Sequence, residues 1–175
     1  MDIFLIILII LLILATMITA VGYAMSPKIN FSESIVIHKS ADEIYKYIAD
    51  FEEFVKWSPW SEKDPEMVQN FEGECMSFGH KYIWKGNSKV GTGSMEITHL
   101  EVNRKVDILL NFGNRGNSQT SFILHPDNGT TRVEWVFDTD LGKSPASRLF
   151  GPLMRKFIRK DFQHGLQNLK RLNEQ

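Results

Sequence analysis

The chain opens with a long, uniformly apolar segment. Residues 3–22 contain no charged residue, and Thr16 and Thr19 are their only polar interruptions. As a helix this segment would be about 30 Å long, the thickness of the hydrocarbon core of a bilayer. It has no amphipathic face, so a buried core helix is not favoured. We predict a transmembrane anchor over residues 1–25, a linker over residues 26–30 and a folded domain over residues 31–175.

A cleaved signal peptide is the competing interpretation of the apolar segment. Small residues at Ala20, Gly22 and Ala24 could form a cleavage site. No Lys or Arg precedes the segment, however, and it is longer than a usual signal-peptide core, which favours an anchor. Lys28 and Lys39 follow it, and the positive-inside rule then predicts that the domain lies in the cytoplasm.

The hydrophobic pattern of the domain begins with alternation and then changes to helical spacing. Alternating residues predict a first strand over residues 31–38. Ser40 and Glu43 have the spacing of a capping box, which predicts a helix that begins there. Pro59, in the sequence Trp57-Ser58-Pro59-Trp60, ends this helical region because proline lacks a backbone donor.

The middle of the chain, residues 67–140, alternates with a period of two and is interrupted by turns. Asn128-Gly129 is a strong hairpin signal, because this pair readily adopts positive φ at both positions. A second turn is predicted over residues 113–117. Strands that follow one another so closely predict an antiparallel meander.

The last part of the domain, from about Ala146 to Leu172, has helical periodicity. Large apolar residues fall on one half of the helical wheel and basic residues on the other. A long amphipathic helix must bury its apolar side, and the sheet is the available partner. The predicted fold class is therefore α+β: about seven antiparallel strands wrapped around a long C-terminal helix, preceded by one transmembrane helix.

An ordered set of short motifs adds a resemblance to a known family. The motifs are Ser34-Ile35-Val36-Ile37, Ala41-Asp42-Glu43-Ile44-Tyr45, Trp57-Ser58-Pro59-Trp60, Tyr82-Ile83-Trp84-Lys85-Gly86-Asn87, Gly91-Thr92-Gly93-Ser94-Met95 and Gly165-Leu166-Gln167-Asn168-Leu169-Lys170. Over residues 31–172 the chain resembles the polyketide cyclase/dehydrase and lipid-transport family of the START-like (SRPBCC) superfamily. The resemblance implies a helix-grip fold with a hydrophobic cavity.

Composition and motifs limit the chemistry. The net charge of −1 argues against nucleic-acid binding through global charge, and a single cysteine, Cys75, cannot form an intradomain disulfide. We find no nucleophile elbow, phosphate loop or zinc-binding motif, and the five histidines are scattered. We therefore predict no metal and no cofactor. Glu96 and Glu134 could form an acid/base pair, but alternation directs both to solvent.

The predicted ligand site is a cavity between the sheet and the last helix. Its candidate lining consists of large apolar and aromatic side chains: Trp57, Trp60, Tyr82, Trp84, Met95, Ile97, Phe112, Phe122, Trp135, Phe137, Phe150, Met154 and Phe157. The aromatic residues among them could equally be filled core. Arg148 could meet an anionic ligand head or lie in solvent.

We expect a membrane-anchored binding protein for a hydrophobic small molecule or lipid. An enzyme of the cyclase or dehydratase type is the alternative, and a stress-response or protein-interaction module is the third interpretation. The basic face of the last helix, Arg155, Lys156, Arg159 and Lys160, is either a solvated surface or a surface for anionic lipid.

Overall fold

The computed structural model describes residues 3–113 and 116–175. It contains two compact units: residues up to Ile29 together with Asp140–Phe157, and Asn30–Thr139 together with Ile158–Gln175. Met1 and Asp2 of the predicted anchor, and residues 114 and 115 of the predicted turn, lie outside the described residues.

The first unit contains α1 (Ile3–Ala24), which coincides with the apolar segment. Among the described residues it is the one helix that is long and apolar enough to cross a membrane, and none of its apolar window is buried. Its two threonines donate to the carbonyls of Leu12 and Ala15 at 2.8 Å, so both hydroxyls are satisfied within the helix. This is the arrangement that a helix surrounded by lipid requires.

Seven strands form one open antiparallel sheet in the order β1-β7-β6-β5-β4-β3-β2. They are β1 (Lys28–Ile37), β2 (Val68–Glu72), β3 (Lys81–Lys85), β4 (Thr92–Glu101), β5 (Lys105–Asn111), β6 (Asn117–Asp127) and β7 (Thr130–Asp140). The predicted antiparallel sheet of about seven strands is confirmed, and strands β2–β7 form the predicted meander. Strand β1 begins earlier than expected, so residues 28–30 of the predicted linker are strand.

The predicted turn chemistry is also present. Asn128 and Gly129 have φ values of 43° and 83° and connect the paired residues Asp127 and Thr130. The backbone N–H and the hydroxyl of Ser40 donate to Glu43 Oε2 at 3.2 and 2.8 Å. They mark the start of α2 (Ala41–Ala49), which is followed by α3 (Phe51–Phe54) and α4 (Pro59–Lys63).

The long helix α5 (Pro145–Asn173) closes the chain. In the second unit, Phe162, Leu166 and Leu169 are buried, and the Phe162 ring stacks on Trp135. A Cβ at Gly165 would come within 3.0 Å of both Pro59 and Trp135. The small residue therefore lets this half of α5 approach α4 and the sheet closely, as the predicted packing of helix on sheet requires.

Candidate functional site

The inner face of the sheet, which carries its buried side chains, holds two groups of aromatic residues in the second unit. In the first group, which we call the Trp135 cluster, the Trp135 ring stacks on Phe162 and Phe122 at centroid distances of 3.8 and 4.7 Å. Trp57 meets the same ring edge-on at 5.6 Å. Rings at these distances are in contact, so this part of the inner face is filled core.

The second group, the Trp84 cluster, lies on strands β3–β5. Tyr82 and Trp84 are two residues apart on the same face of β3, with ring centroids 5.5 Å apart. Phe112 lies 6.0 Å from Trp84, and the buried Met95 is paired with Tyr82 in the β3–β4 register. The cluster is therefore an apolar surface built from neighbouring strands.

Gly93 shapes the Trp84 cluster. It is the cross-strand partner of Trp84, and a Cβ there would come within 2.5 Å of Trp84 Cζ2 and 2.6 Å of the Asn111 carbonyl oxygen. Both distances are too short for any side chain, so only glycine lets the indole lie across β4. This contact gives a structural role to Gly93, which the motif Gly91-Thr92-Gly93-Ser94-Met95 contains.

The two clusters differ in how their polar atoms are satisfied. In the Trp135 cluster the indole N–H of Trp135 donates to Thr120 Oγ1 at 2.8 Å, and that of Trp57 donates to the Tyr47 carbonyl at 2.7 Å. Trp84 is 8% exposed, and its Nε1 is buried without an acceptor among residues 3–113 and 116–175. A buried donor without a partner costs about 1–3 kcal/mol, and of the three buried indoles only that of Trp84 lacks a partner among the described residues.

The Tyr82 hydroxyl is a second weakly satisfied donor beside it. It donates to the Met67 thioether sulphur across 4.0 Å, and thioethers are weak acceptors. Burial raises the pKa of Tyr82 to about 12, so the phenol keeps its proton at neutral pH. The Trp84 cluster therefore presents two hydrogen-bond donors on an apolar surface.

The predicted lining residues differ in exposure: some are buried, some are half-buried and two are exposed. Those buried in the second unit are Trp57, Tyr82, Trp84, Met95, Ile97, Phe122, Trp135 and Phe137. Trp60 and Phe112 are half-buried in the same unit, and Met154 is half-buried in the first unit.

Phe150 and Phe157 differ from the expectation that they are turned away from water. Both belong to the first unit, and they are 68% and 61% exposed. On the helix, a turn of roughly 120–140° separates them from Phe162 at about 100° per residue. The apolar half of the wheel is thus wide enough to contain two separate rows, and only the row that includes Phe162 is core.

Three titratable side chains meet at the start of α3, which sequence analysis missed. A carboxylate oxygen of Asp50, the sulphur of Cys75 and a ring nitrogen of His80 lie within 4.8 Å of one another. The His80 ring is held by the backbone: the Phe51 N–H donates to Nε2 at 3.4 Å, and Nδ1 lies 3.2 Å from the Glu72 carbonyl oxygen. Both ring nitrogens thus have backbone partners, as is typical of a structural histidine.

The thiol of this group is a weak nucleophile. Burial and the Asp50 carboxylate raise the pKa of Cys75 to about 11. Because the thiolate is the reactive form of cysteine, the neighbouring carboxylate suppresses its reactivity. The spacing of Cys75 and His80 in the sequence does not predict this group, because Asp50 is brought to them only by the fold.

The outer face of the sheet is polar, as the alternation predicts. Glu96 lies 3.8 Å from Lys81, and Glu134 lies 3.6 Å from Arg132; both are surface carboxylates, as the alternation predicts. A hollow of about 260 Å³ on strands β4–β6 is lined mainly by Thr98, Lys105, Asp107, Gln119 and Ser121. Lys105 and Asp107 pair at 2.8 Å, so the hollow offers no apolar site.

Arg148 has partners within the first unit. Its Nε donates to the Gly142 carbonyl at 3.0 Å, and its Nη1 donates to the Tyr23 carbonyl at 3.3 Å. The guanidinium also lies 5.9 Å from the centre of the Tyr23 ring. Neither sequence interpretation, a ligand head group or bulk solvent, foresaw this contact with the end of α1.

Solved structures share this architecture. CV1439 from Chromobacterium violaceum superposes with a TM-score of 0.60 at 14% identity, covering 83% of this chain and 98% of that chain. The Aha1 dimer from Colwellia psychrerythraea gives 0.56 at 17% identity, with coverages of 81% and 96%. The di-domain ARO/CYC StfQ from the steffimycin biosynthetic pathway gives 0.62 at 12% identity, with coverages of 84% and 51%. Identities this low show the fold alone.

A search of curated proteins found no match. The model of one family, described as polyketide cyclase / dehydrase and lipid transport, matches residues 28–174. The match covers the whole sheet, all the helices that follow β1 and both aromatic clusters, and it starts after α1. It agrees with the helix-grip topology and with the resemblance carried by the sequence motifs. The chain therefore belongs to the polyketide cyclase/dehydrase and lipid-transport family.

Proposed function

We propose that this protein binds a hydrophobic small molecule or lipid on the inner face of its sheet and is held at a membrane by α1. The single observation that carries the ligand proposal is the Trp84 indole N–H, buried on an apolar surface without an acceptor among the described residues. A ligand with a carbonyl or hydroxyl oxygen would satisfy this donor. Its apolar part would contribute about 25 cal/mol per Å² removed from water.

The Trp84 cluster supports an amphipathic ligand over a pure hydrocarbon. Its second donor, the Tyr82 hydroxyl, lies on the same strand face and has only a thioether across 4.0 Å in the described structure. A few polar groups among apolar side chains are the means by which binding sites orient a mainly apolar ligand. We propose Tyr82, Trp84, Met95 and Phe112 as its immediate contacts, and the other predicted lining residues that are buried in the second unit as their support.

Binding is favoured over catalysis by the ionisation of the inner face. Tyr82 has a raised pKa, so at neutral pH it can donate a hydrogen bond but cannot act as a general base. The hydroxyls of Ser118 and Thr139 bond to each other at 2.8 Å. Glu96 and Glu134 lie on the outer face, where they form ion pairs.

The membrane part of the proposal rests on α1 and the charges that follow it. An exposed apolar helix of 22 residues is long enough for one span. Lys28 and Lys39 follow α1 and support a domain on the cytoplasmic side by the positive-inside rule, so we expect protease added outside intact cells to leave it uncut. We propose the basic face of α5 as a surface for anionic lipid. Within this face, Arg159 Nε donates to Glu33 at 2.6 Å.

Native mass spectrometry of the full chain in detergent tests the ligand proposal. We expect a copurifying apolar molecule that carries an oxygen acceptor. We also expect an added long-chain ketone to be retained better than the alkane of equal length. Trp84→Phe should abolish this preference, because it removes the donor and keeps an aromatic ring.

Trp135→Phe is the matched control. It also removes an indole, but the N–H lost there is already satisfied by Thr120. The preference for the ketone should therefore survive. Equal retention of ketone and alkane by the unmodified chain, or equal effects of the two substitutions, would overturn the assignment of Trp84 as the ligand donor.

A further inference from the structure

An exposed apolar stripe runs along the first half of α5. Phe150, Leu153 and Phe157 are 68%, 49% and 61% exposed. Their spacing of three and four residues places them on one face of the helix. Two phenylalanines and a leucine exposed side by side are an unusual surface for a domain that faces only water.

The stripe is separate from the side of α5 that packs within the first unit. Gly151 is buried, and a Cβ there would come within 2.7 Å of Leu141 and 3.5 Å of Ile29. At about 100° per residue, Phe150 is rotated around the helix axis by about 100° from Gly151, and Leu153 by about 200°. The helix thus packs through its small residue and presents its large ones outward.

The first turn of α5 lies against the end of α1. A Cβ at Gly22 would come within 2.5 Å of the Pro145 carbonyl oxygen, and Arg148 bonds to the Tyr23 carbonyl at 3.3 Å. If α1 spans the bilayer, Gly22 and Tyr23 lie at its boundary with the head groups. The stripe begins five residues after Pro145, about 8 Å along the helix axis, and is therefore close to the membrane surface.

The charges around the stripe fit the same partner. Residues 145–160 contain no acidic residue and five basic ones. Lys156 is exposed and follows Leu153 by three residues, so it flanks the stripe. Aromatic and leucine side chains flanked by lysines are typical of helices that lie in the plane of a membrane interface.

We propose that the first half of α5 is a membrane-docking helix, which inserts Phe150, Leu153 and Phe157 into the surface of the bilayer that α1 spans. Lys156 then lies among anionic head groups. This proposal rests on the membrane span proposed above. It gives the protein a second, peripheral contact with the same membrane, and it assigns Phe150 and Phe157 to lipid instead of to the lining of the ligand site.

The test uses the full chain with Cys75→Ser in nanodiscs of phosphatidylcholine and phosphatidylserine. A single cysteine introduced as Phe150→Cys, Leu153→Cys or Phe157→Cys carries an environment-sensitive fluorophore. We expect blue-shifted emission and several-fold stronger quenching by spin-labelled lipid than for Val102→Cys. Val102 is the matched control, an apolar residue that is 74% exposed in the β4–β5 turn.

Three results would overturn the docking proposal. Water-like emission at all three positions would overturn the proposal. A blue shift without quenching by spin-labelled lipid would also overturn it and return these residues to an internal site. Release of the chain from vesicles by alkaline carbonate would show instead that α1 does not span, and the docking proposal would fall with it.

A charge variant provides a second readout. Phe150→Asp with Phe157→Asp changes only exposed side chains, so the domain should still fold. Lipid quenching at position 153 should fall several-fold while α1 stays in the membrane. Phe78→Asp, at an exposed phenylalanine in the second unit, should leave quenching at position 153 unchanged. Unchanged quenching in the double variant would contradict docking through the stripe.

Discussion

At the scale of single residues, the same side chain has different roles according to its partner. Trp57, Trp84 and Trp135 are all buried, and two of them donate to oxygen atoms of the protein. Because an unpartnered donor loses its bond to water on folding, Trp84 Nε1 lowers stability unless an acceptor reaches it. A residue retained at such a cost is a stronger candidate for binding than one that only fills space.

Cys75 allows a prediction at the same scale. Its pKa is raised to about 11, so its thiolate fraction at pH 8 is about a hundredfold below that of an ordinary thiol with a pKa of 9.0. We expect alkylation by iodoacetamide to be correspondingly slow and to accelerate as the pH rises towards 11. Asp50→Asn should increase the rate at pH 8.

The control for this experiment is Asp42→Asn, a carboxylate exposed on α2. It should leave the alkylation rate unchanged. Rapid alkylation of the unmodified chain at pH 8, or no acceleration in Asp50→Asn, would contradict the geometry of the Asp50, Cys75 and His80 group.

At the scale of elements, α5 combines separate contacts along one helix. Its second half packs on the sheet through Phe162, Leu166 and Leu169. Its C-terminal end is attached to the end of β1, where the His38 backbone N–H and ring Nδ1 lie 2.8 and 2.9 Å from Glu174 Oε1. The stability of the helix in this half therefore comes from tertiary contacts more than from helix propensity.

The attachment of α5 to β1 should depend on pH. The His38 backbone and ring, and then Lys170, lower the pKa of Glu174 from 4.5 to about 2. Because the folded-state pKa is the lower one, this carboxylate stabilises the fold fully above pH 4.5 and loses its effect as the pH falls towards 2. Glu174→Gln should lower the unfolding temperature at pH 6, and the difference from the unmodified chain should shrink at acidic pH.

Thermal unfolding of the full chain in non-ionic detergent measures this difference. Glu66→Gln, at an exposed carboxylate in the turn before β2, serves as the control and should have no effect at pH 6. If the curves for Glu174→Gln and the unmodified chain stay parallel between pH 6 and pH 3, the carboxylate contributes nothing to the attachment.

At the scale of the whole molecule, the family domain and the apolar helix are separable in sequence. The family match begins at residue 28, four residues after α1 ends. The core residues of the second unit and their caps all lie beyond Pro27. A domain with its own core should fold without the segment that precedes it.

Deleting residues 1–25 should therefore leave a domain that unfolds cooperatively. It loses the contacts of Gly22 with Pro145 and of Tyr23 with Arg148, so the first turn of α5 should exchange amide hydrogens faster than in the full chain. Residual vesicle binding should be weak and should disappear at high salt.

The truncated chain should be studied both with and without Phe150→Asp and Phe157→Asp. Aggregation that these substitutions relieve would be due to the exposed stripe. Loss of cooperative unfolding in both forms would show instead that α1 belongs to the core of the domain.

The sequence alone determined the features that depend on neighbours within a few residues. The apolar run of α1, the Ser40–Glu43 cap, the Asn128-Gly129 hairpin and the change from strand to helical period were all predicted and are all present. Their physical causes are steric or hydrogen-bonding preferences of adjacent residues, which any fold must respect. The resemblance of the motifs then predicted the family correctly, because these local features recur in one order.

Which of the predicted side chains share an environment depends on how the chain folds. Helical periodicity placed Phe150, Phe157 and Phe162 on one half of a wheel, yet Phe162 alone is core. Alternation directed Trp84 and Trp135 inward, but the fold supplied an acceptor to Trp135 and none, among the described residues, to Trp84. A periodic pattern states which side a residue faces. What the residue meets there depends on segments far away in the chain, whose positions follow from strand register and close packing.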